Sequence, residues 1–260
     1  MVPSLSQQTT RPGSQALVAE ALVKRYDRGT ITALDGFSLT IAAGDFFGLL
    51  GPNGAGKTTA LSLFSSLFDA DSGSIKILGA DLKTRAAAIR PLIGLVPQEL
   101  AVYEKFTARE NLAFFGRLYG LGGKKLRQSI EYCLQLAGLQ DHDSRRVSGY
   151  SGGMKRRLNL AVGLLHMPSL LLLDEPTVGI DAQSRHLIHE QLLSLNTMGM
   201  TIVYSTHYME EAQDLCSRIA IVDRGRVVEE GIPSVLLKEH GSRNLEHLFL
   251  GLTGRQLRDT

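Results

Sequence analysis

The stretch GPNGAGKTT, residues 51–59, decides the fold of this chain. It follows the apolar run FFGLL at 46–50 and leads into LSLF at 61–64, which predicts a strand, a glycine loop and a helix in that order. Backbone N–H groups of such a loop point at an anion at the helix N-terminus, where the helix dipole favours negative charge. The stretch is therefore typical of a loop that binds the phosphates of a nucleoside triphosphate.

Several positions of this loop have a predicted task. Glycines let the backbone come close to the phosphates, and Lys57 reaches the β- and γ-phosphates. Thr58 offers a hydroxyl to Mg2+, and Thr59 is a further donor to phosphate. The predicted nucleotide-binding positions are Gly51, Pro52, Asn53, Gly54, Ala55, Gly56, Lys57, Thr58 and Thr59. This set of donors indicates a nucleoside triphosphate with Mg2+ rather than a generic anion.

Length and composition limit what the chain can be. It has 260 residues, 43% of them hydrophobic, which suits one large domain or a core with an inserted subdomain. The net charge of +2 creates no strong positive field, so no nucleic-acid partner is expected. No stretch approaches the run of about 18 apolar residues that spans a bilayer. We expect residues 1–15, which are polar, to form a loose tail.

The order of apolar runs predicts an α/β fold. Strands at 16–23 and 37–41, with a turn at Asp35-Gly36, predict an antiparallel β-sheet ahead of the glycine loop. Later strands alternate with helices, as in an open α/β sheet, and are predicted at 74–78, 93–96, 170–173 and 201–204. The nucleotide loop therefore opens the helix that follows one strand of a mixed α/β domain.

A helical segment interrupts the strands between residues 99 and about 149. Thr107 and Glu110 fit a capping box, and apolar residues recur at helical spacing from 124 to 137. The segment holds no cluster of catalytic side chains. It is therefore predicted to be an inserted helical subdomain with a docking role rather than a chemical one.

Two adjacent carboxylates, Asp174 and Glu175, follow the apolar strand LLLL at 170–173. Side chains of adjacent strand residues diverge, so the two can serve different tasks. Asp174 is predicted to hold Mg2+ directly or through water, and Glu175 to orient and deprotonate an attacking water. The alternative is an ordinary strand-ending turn before Pro176. The nucleotide loop elsewhere in the chain favours the catalytic interpretation.

Three further side chains are candidates by their position beside strands. Gln98 and His207 follow strand ends, where open α/β sheets place groups that contact ligands, and His207 can hydrogen-bond a γ-phosphate. Tyr26, just after the first strand, can stack on a nucleotide base. The alternatives are an ordinary loop residue for Gln98, a structural histidine for His207 and a strand-edge aromatic for Tyr26.

A second anion-binding helix start is predicted at Ser151-Gly152-Gly153, which precedes a helix running through Leu165. With this motif the chain resembles the ATP-binding subunit of ABC transporters. The resemblance covers residues 16–231 and is carried by six ordered motifs: GPNGAGKTT, Gln98, YSGGM at 150–154, LLLLDEP at 170–176, VGID ending at Asp181, and His207.

The resemblance implies a P-loop NTPase (RecA-like) core with an antiparallel β-sheet and the inserted helical subdomain at 99–149, in a domain spanning residues 16–240. It implies ATP and Mg2+ as cofactors and a head-to-tail pair of chains. In that pair, the residues of one chain that close over the ATP held by Lys57 of the other are Ser151, Gly152 and Gly153.

The same resemblance assigns roles to single residues. It implies base stacking for Tyr26, sensing of Mg2+ or water for Gln98, the catalytic base for Glu175 and phosphate positioning for His207. It also implies a catalytic role for Lys57 and a nucleotide contact for Asp181. The metal ligands that it implies are Thr58, Gln98 and Asp174.

Departures from the family pattern indicate a branch. Tyr150 and Met154 replace the ends of the usual LSGGQ signature, while the serine hydroxyl and glycine N–H groups remain. YSGGMKRRL, the stretch 110–119 and the tail at 241–260 look like those of bacterial exporters of drugs, lipids or polysaccharides.

The predicted protein is thus an ATPase, a homodimer or heterodimer, peripheral to the cytoplasmic face of the inner membrane. It powers export through a separate transmembrane permease that docks on the helical subdomain. The alternative is a membrane-free ABC ATPase acting on nucleic acid, a ribosome or an assembly factor. The basic run Lys155, Arg156 and Arg157 keeps that alternative open.

Overall fold

A computed structural model of the chain describes residues 14–254. Most of the predicted N-terminal tail and the last six residues of the C-terminal tail lie outside this range. Gln15, which the sequence placed in the tail, already belongs to the first strand. Within the described range, no helix is both long and apolar enough to cross a membrane.

The strands, in chain order, are β1 (Gln15–Tyr26), β2 (Ile31–Ala42), β3 (Phe46–Leu50), β4 (Ser72–Ile77), β5 (Ala80–Asp81), β6 (Ile93–Val96), β7 (Leu170–Asp174), β8 (Thr201–Thr206), β9 (Arg218–Asp223) and β10 (Arg226–Gly231). The helices are α1 (Lys57–Phe64), α2 (Leu82–Ile89), α3 (Ala108–Leu118), α4 (Gly123–Ala137), α5 (Gly152–Leu164), α6 (Ala182–Thr197), α7 (Met209–Leu215), α8 (Pro233–Glu239) and α9 (Leu245–Thr253).

In the described part of the chain these strands form two sheets. An antiparallel sheet has the order β2-β1-β4-β5, and a six-stranded sheet has the order β10-β9-β3-β8-β7-β6. In the larger sheet all neighbours are parallel except β9 and β10. Because parallel strands share one carboxyl edge, the residues that follow β3, β6, β7 and β8 meet at the same rim.

The turn predicted at Asp35-Gly36 is wrong, because both residues lie inside β2. Leu22 pairs with Phe37 and Val23 pairs with Asp35, so Gly36 is the extra residue of a bulge. Its φ of 70° is a backbone conformation that favours glycine. The signal that suggested a chain reversal therefore marks a local irregularity in a continuous strand.

The larger sheet separates two apolar cores. Alternate strand residues point to opposite faces, so Phe46 and Leu171 enter the core shared with the helical subdomain. Phe47 and Leu172 enter the core shared with the antiparallel sheet. All five residues of β3 and of β7 are buried, as expected for strands covered on both faces.

The helical subdomain contains α3 and α4, which pack on each other and on α5. The predicted capping box is confirmed: Thr107 accepts from the Glu110 N–H, and the Glu110 carboxylate accepts from the Thr107 N–H. At the other end of the chain, α9 is capped by Asn244 and buries Leu245, Leu248 and Phe249. The predicted C-terminal tail at 241–260 thus contains a packed helix that contacts α7.

Candidate nucleotide site

The glycine loop lies between β3 and α1, as predicted, and packs tightly on its neighbours. A side chain at Gly51 would place its Cβ 2.2 Å from the carbonyl oxygen of Val222. Gly56 has a φ of 107°, and a Cβ there would lie 2.7 Å from the carbonyl oxygen of Ala33. Both glycines are therefore required by the fold of the loop itself.

Lys57, the first residue of α1, is buried, with 4% of its side chain exposed. Its ammonium donates to the carbonyl oxygens of Gly51 at 2.7 Å and Pro52 at 3.2 Å. Its third partner is a carboxylate oxygen of Glu175 at 3.1 Å. The ammonium thus donates two hydrogen bonds to the loop, and a buried ion pair joins it to the residue that follows β7.

Glu175 lies between Lys57 and His207. While one carboxylate oxygen contacts Lys57, the other lies 3.1 Å from Nδ1 of His207. Its backbone has a φ of 45°, which is unusual for a non-glycine residue, and its N–H donates to the carbonyl and hydroxyl oxygens of Ser205. The structure therefore brings three of the four predicted catalytic residues into one chain of contacts.

Asp174 is the last residue of β7 and is buried. Its carboxylate accepts a hydrogen bond of 2.7 Å from the hydroxyl of Ser205, the residue paired with it on β8. Ser205 thus holds both Asp174 and the Glu175 N–H, a role that our sequence analysis missed. Its place near the carboxyl end of a buried parallel strand, beside the two carboxylates, was the available signal.

Gln98, the fourth predicted catalytic residue, lies exposed two residues beyond the end of β6. The structure fixes its backbone rather than its side chain, since the Arg156 guanidinium donates to the Gln98 carbonyl oxygen. The same guanidinium donates to the Val178 carbonyl oxygen at 3.1 Å. Arg156 on α5 therefore ties the Gln98 segment to the segment that follows Glu175.

The second helix start forms as predicted at the N-terminus of α5. Ser151 is the N-cap and accepts from the Met154 N–H at 3.2 Å. A Cβ at Gly153 would lie 2.0 Å from the Ser184 hydroxyl, so the glycine allows α5 to approach α6. Asp181 caps α6 by accepting from the Ser184 N–H, and this hydrogen bond lowers the pKa of Asp181.

The predicted nucleotide-binding residues of the glycine loop and those at the starts of α5 and α6 form two separate groups. In residues 14–254 no hydrogen bond joins Ser151 or Asp181 to the glycine loop or to Glu175. Ser151, Gly152 and Asp181 are exposed. Tyr26 ends β1 with 36% of its surface exposed, and the Lys24 ammonium lies 5.8 Å from its ring centre.

Comparison with known proteins shows the family of this chain. The family described as ABC transporter matches residues 34–178, more than half of the chain. The linearmycin resistance ATP-binding protein LnrL of Bacillus subtilis (strain 168) is 43% identical over 232 residues, which is 89% of this chain and 74% of that protein. The Nod factor export ATP-binding protein I of Paraburkholderia xenovorans (strain LB400) is 46% identical over 209 residues, 80% of this chain and 69% of that protein.

A solved structure is similar to this chain over most of its length. It is a dimeric ATP-binding cassette in a post-hydrolysis state, bound to ADP and Pi, with a TM-score of 0.76 and 28% identity. The match covers 83% of this chain and 98% of that one. The predicted α/β fold of a P-loop NTPase is thereby confirmed, and so is the predicted binding of ATP. The chain belongs to the ABC transporter family, as one of its ATP-binding and ATP-hydrolysing subunits.

Proposed function

We propose that this chain hydrolyses ATP to power export of a small molecule, lipid or polysaccharide through a separate membrane-spanning partner. The position of Glu175 between Lys57 and His207 carries the catalytic part. The export part is supported by the similarity to a Nod factor export protein and a linearmycin resistance protein. On this proposal the chain works as a peripheral subunit at the cytoplasmic face of the inner membrane.

Glu175 is proposed to be the general base. It accepts a proton from the attacking water as the water oxygen bonds to the γ-phosphorus, and the bond from that phosphorus to the ADP oxygen breaks. His207 holds the carboxylate through the 3.1 Å contact at Nδ1 and positions the γ-phosphate. Lys57 exchanges its ion pair with Glu175 for the β- and γ-phosphates, so ATP binding frees the base.

The remaining side chains at the rim fit a magnesium ion. Thr58, Gln98 and Asp174 offer hydroxyl, amide and carboxylate oxygens, the donor type that Mg2+ prefers. We assign these three residues to the metal. When bound, the ion neutralises charge on the phosphates.

The complete site is proposed to need two chains, identical or different. Ser151 and Gly152 are exposed at the N-terminus of a helix of 13 residues. Asp181 is also exposed, and a Cβ at Gly153 would lie 3.2 Å from its carboxylate. The similar solved structure is dimeric. In a head-to-tail pair, the helix N-terminus of one chain supplies N–H donors to the ATP held by the loop of the other, with Gly153 setting the approach of α5. The base of that ATP stacks on the exposed ring of Tyr26.

The permease is proposed to dock on an aromatic patch of the helical subdomain, residues 99–149, formed by Tyr103, Phe106, Phe114 and Phe115. The rings lie 5.2 to 5.9 Å from the ring of Tyr103, and Tyr103 is 48% exposed. Exposed aromatic clusters are typical of protein interaction sites.

The aromatic patch also lies close in sequence to Gln98 of the nucleotide site. Asn159 on α5 accepts from the Ala101 N–H and donates to the Pro97 carbonyl oxygen, on either side of Gln98. Asn111 holds Tyr103 by accepting from its N–H and donating to its carbonyl oxygen. The segment from Gln98 to the patch is therefore held at both ends, by Asn159 near Gln98 and by Asn111 at Tyr103.

Affinity purification from detergent-solubilised membranes tests the partner. A single multi-span protein should co-purify in a stoichiometric amount, and Phe106→Ser should reduce its recovery. The matched control is Phe68→Ser, another aromatic residue, 50% exposed and outside the helical subdomain. Recovery of the same protein with both variants would contradict docking at the patch.

A ribosome or soluble factor in that purification would instead favour the membrane-free alternative. The structure weakens the sequence argument for it, since the three basic residues are engaged within the chain. Lys155 pairs with Glu104, Arg156 is buried, and Arg157 donates to the carbonyl oxygens of residues 137 and 138.

A further inference from the structure

A second buried carboxylate, Glu211, lies in a network of hydroxyl groups next to the site. Glu211 belongs to α7 and is 7% exposed. Its carboxylate accepts from the hydroxyls of Tyr204 at 2.8 Å, Thr177 at 3.0 Å and Thr206 at 3.2 Å. Thr177, Tyr204 and Thr206 are themselves buried, so water does not replace these bonds easily.

The surroundings fit a carboxylate that is held in place. Burial, reinforced by the neighbouring Glu211, raises the pKa of Tyr204, so its phenol remains a donor. Arg185 on α6 lies beside the carboxylate, with Nε 3.4 Å from Oε1, and Nε2 of His189 lies 3.8 Å from the same oxygen. Three hydroxyls and a guanidinium thus face one acceptor group, which leaves its oxygens satisfied in a buried position.

The donors around Glu211 come from the two segments that carry the proposed catalytic side chains. Thr206 directly precedes His207, and its hydroxyl oxygen also accepts from the Tyr208 N–H at 2.9 Å. Glu211 therefore fixes the residues on both sides of His207. Thr177 lies two residues after Glu175 and reaches the same carboxylate from the other segment.

We propose that Glu211 is a positioning residue for ATP hydrolysis. It holds the segment after β7 and the segment after β8 in one arrangement, so that Glu175 and His207 stay within hydrogen-bond distance. The inference rests on the proposed roles of Glu175 and His207. Glu211 itself does not touch the reacting atoms and acts through Thr177 and Thr206.

The test compares steady-state ATPase kinetics of Glu211→Gln with those of the wild-type chain and of Glu210→Gln. Glu210 is the exposed neighbour on the same helix and serves as the matched control. Because small misplacements of a catalytic group cost up to about 10^2 in rate, Glu211→Gln should lower kcat by about ten-fold or more. The KM for ATP should stay within about two-fold, since the nucleotide loop is untouched. Glu210→Gln should behave as wild type.

A role in stability alone gives a different pattern. Below the melting temperature of both proteins, Glu211→Gln would then keep the wild-type kcat, and this result would overturn the inference. In a double-mutant cycle, adding Thr177→Val to Glu211→Gln should cost little more than Glu211→Gln alone, because both changes break the same link. If the double variant instead lowered kcat by the product of the two single effects, that result would also contradict the inference.

Thr206 supplies a second test that does not need the Glu211 variant to fold. Thr206→Ser keeps the hydroxyl and should retain activity, while Thr206→Val keeps the shape and should lose kcat without a change in KM. Equal kcat values for these two variants would refute the positioning role. A folded wild-type chain without any ATPase activity would instead refute the proposed function, and the inference with it.

Discussion

The ion pair between Lys57 and Glu175 can be tested by removing only its negative charge. Glu175→Gln keeps the shape of the side chain and leaves an oxygen that can still accept from the Lys57 ammonium. The two other oxygens around that ammonium, from Gly51 and Pro52, belong to the backbone and are unaffected. The substitution therefore isolates the contribution of charge at a pair whose side chains are only 4% and 6% exposed.

The magnitude follows from the kind of bond that is exchanged. The Lys57 ammonium stays charged, so Glu175→Gln still leaves a charge-assisted hydrogen bond and loses only the attraction between two opposite charges. This should cost the nucleotide-free protein about 1 to 2 kcal/mol, which is less than the cost of about 3 to 5 kcal/mol for breaking a buried pair outright. For a domain of this size that corresponds to a Tm lower by about 2 to 8 °C. Glu175→Ala leaves the buried ammonium without its third partner and should cost about 3 to 5 kcal/mol.

ATP should favour the Glu175→Gln variant over the wild type. Its phosphates replace the missing negative charge beside Lys57, and the variant has no ion pair to break. The 1 to 2 kcal/mol lost by the free protein should therefore return as ATP affinity about five- to thirty-fold above that of the wild type. Turnover should nevertheless fall by about 10^2 to 10^4, the contribution of a general base.

The assays are thermal unfolding and ATP titration with EDTA present, and ATP turnover with Mg2+ present. Glu210→Gln, which removes an exposed charge of the same type, is the control. An unchanged Tm for nucleotide-free Glu175→Gln would mean that the ion pair does not stabilise the free chain. Normal turnover with weakened ATP binding would mean that Glu175 binds ATP and is not the base.

Three further predictions concern other parts of the chain. Tyr26→Ala should weaken ATP binding about five-fold or more and Tyr26→Phe should change it little, because stacking on a base contributes about 1 to 3 kcal/mol; equal affinities in titrations would exclude stacking. Lys57→Ala and Ser151→Arg should each be inactive. Their mixture should recover up to about one quarter of wild-type activity, because mixed dimers have one intact site. If the mixture recovers no activity and wild-type activity does not depend on dilution, sites built from two chains would be excluded. Burial lowers the pKa of His166, whose Nε2 contacts the Ile93 carbonyl oxygen. As pH falls, the imidazole is therefore protonated first in the unfolded chain, and stability is lost below about pH 6.5. His166→Gln should reduce the fall in Tm between about pH 7.5 and 5.5, and an unchanged fall would mean that other groups cause it.

The parts of the fold that the sequence predicted well are those set by local signals. The strand before the glycine loop and the strand before Asp174 are continuous apolar runs, and a strand covered on both faces needs nothing else. The capping box at Thr107 is likewise a four-residue pattern. Gly36 failed as a turn signal because a bulge and a turn require the same backbone freedom.

The candidate site was predictable as a set of residues but not as a set of contacts. Lys57 and Glu175 are far apart in the sequence, and only the parallel order of β3, β8 and β7 brings them to one rim. Glu211 was overlooked because its surroundings in the sequence, MEEAQDL, look like an exposed acidic helix. Its burial depends on hydroxyl groups that arrive from β8 and from the segment after β7. No local pattern encodes such a network.

The contacts of α5 connect the surface proposed for pairing of two chains to the surface proposed for docking of the permease. Ser151, at the start of this helix, is the group proposed to meet the ATP of a partner chain. Arg156 and Asn159, further along it, hold the segment that begins at Pro97 and carries Gln98. Because Arg156 and Asn159 join this helix to that segment, a displacement of the helix N-terminus toward a partner chain's nucleotide is expected to displace the segment too. The aromatic patch follows within a few residues, where Asn111 ties Tyr103 to α3. In the proposed head-to-tail pair, closure over ATP and movement of the patch are therefore expected to be one rigid-body event, and loss of the γ-phosphate is expected to release α5 and the patch together.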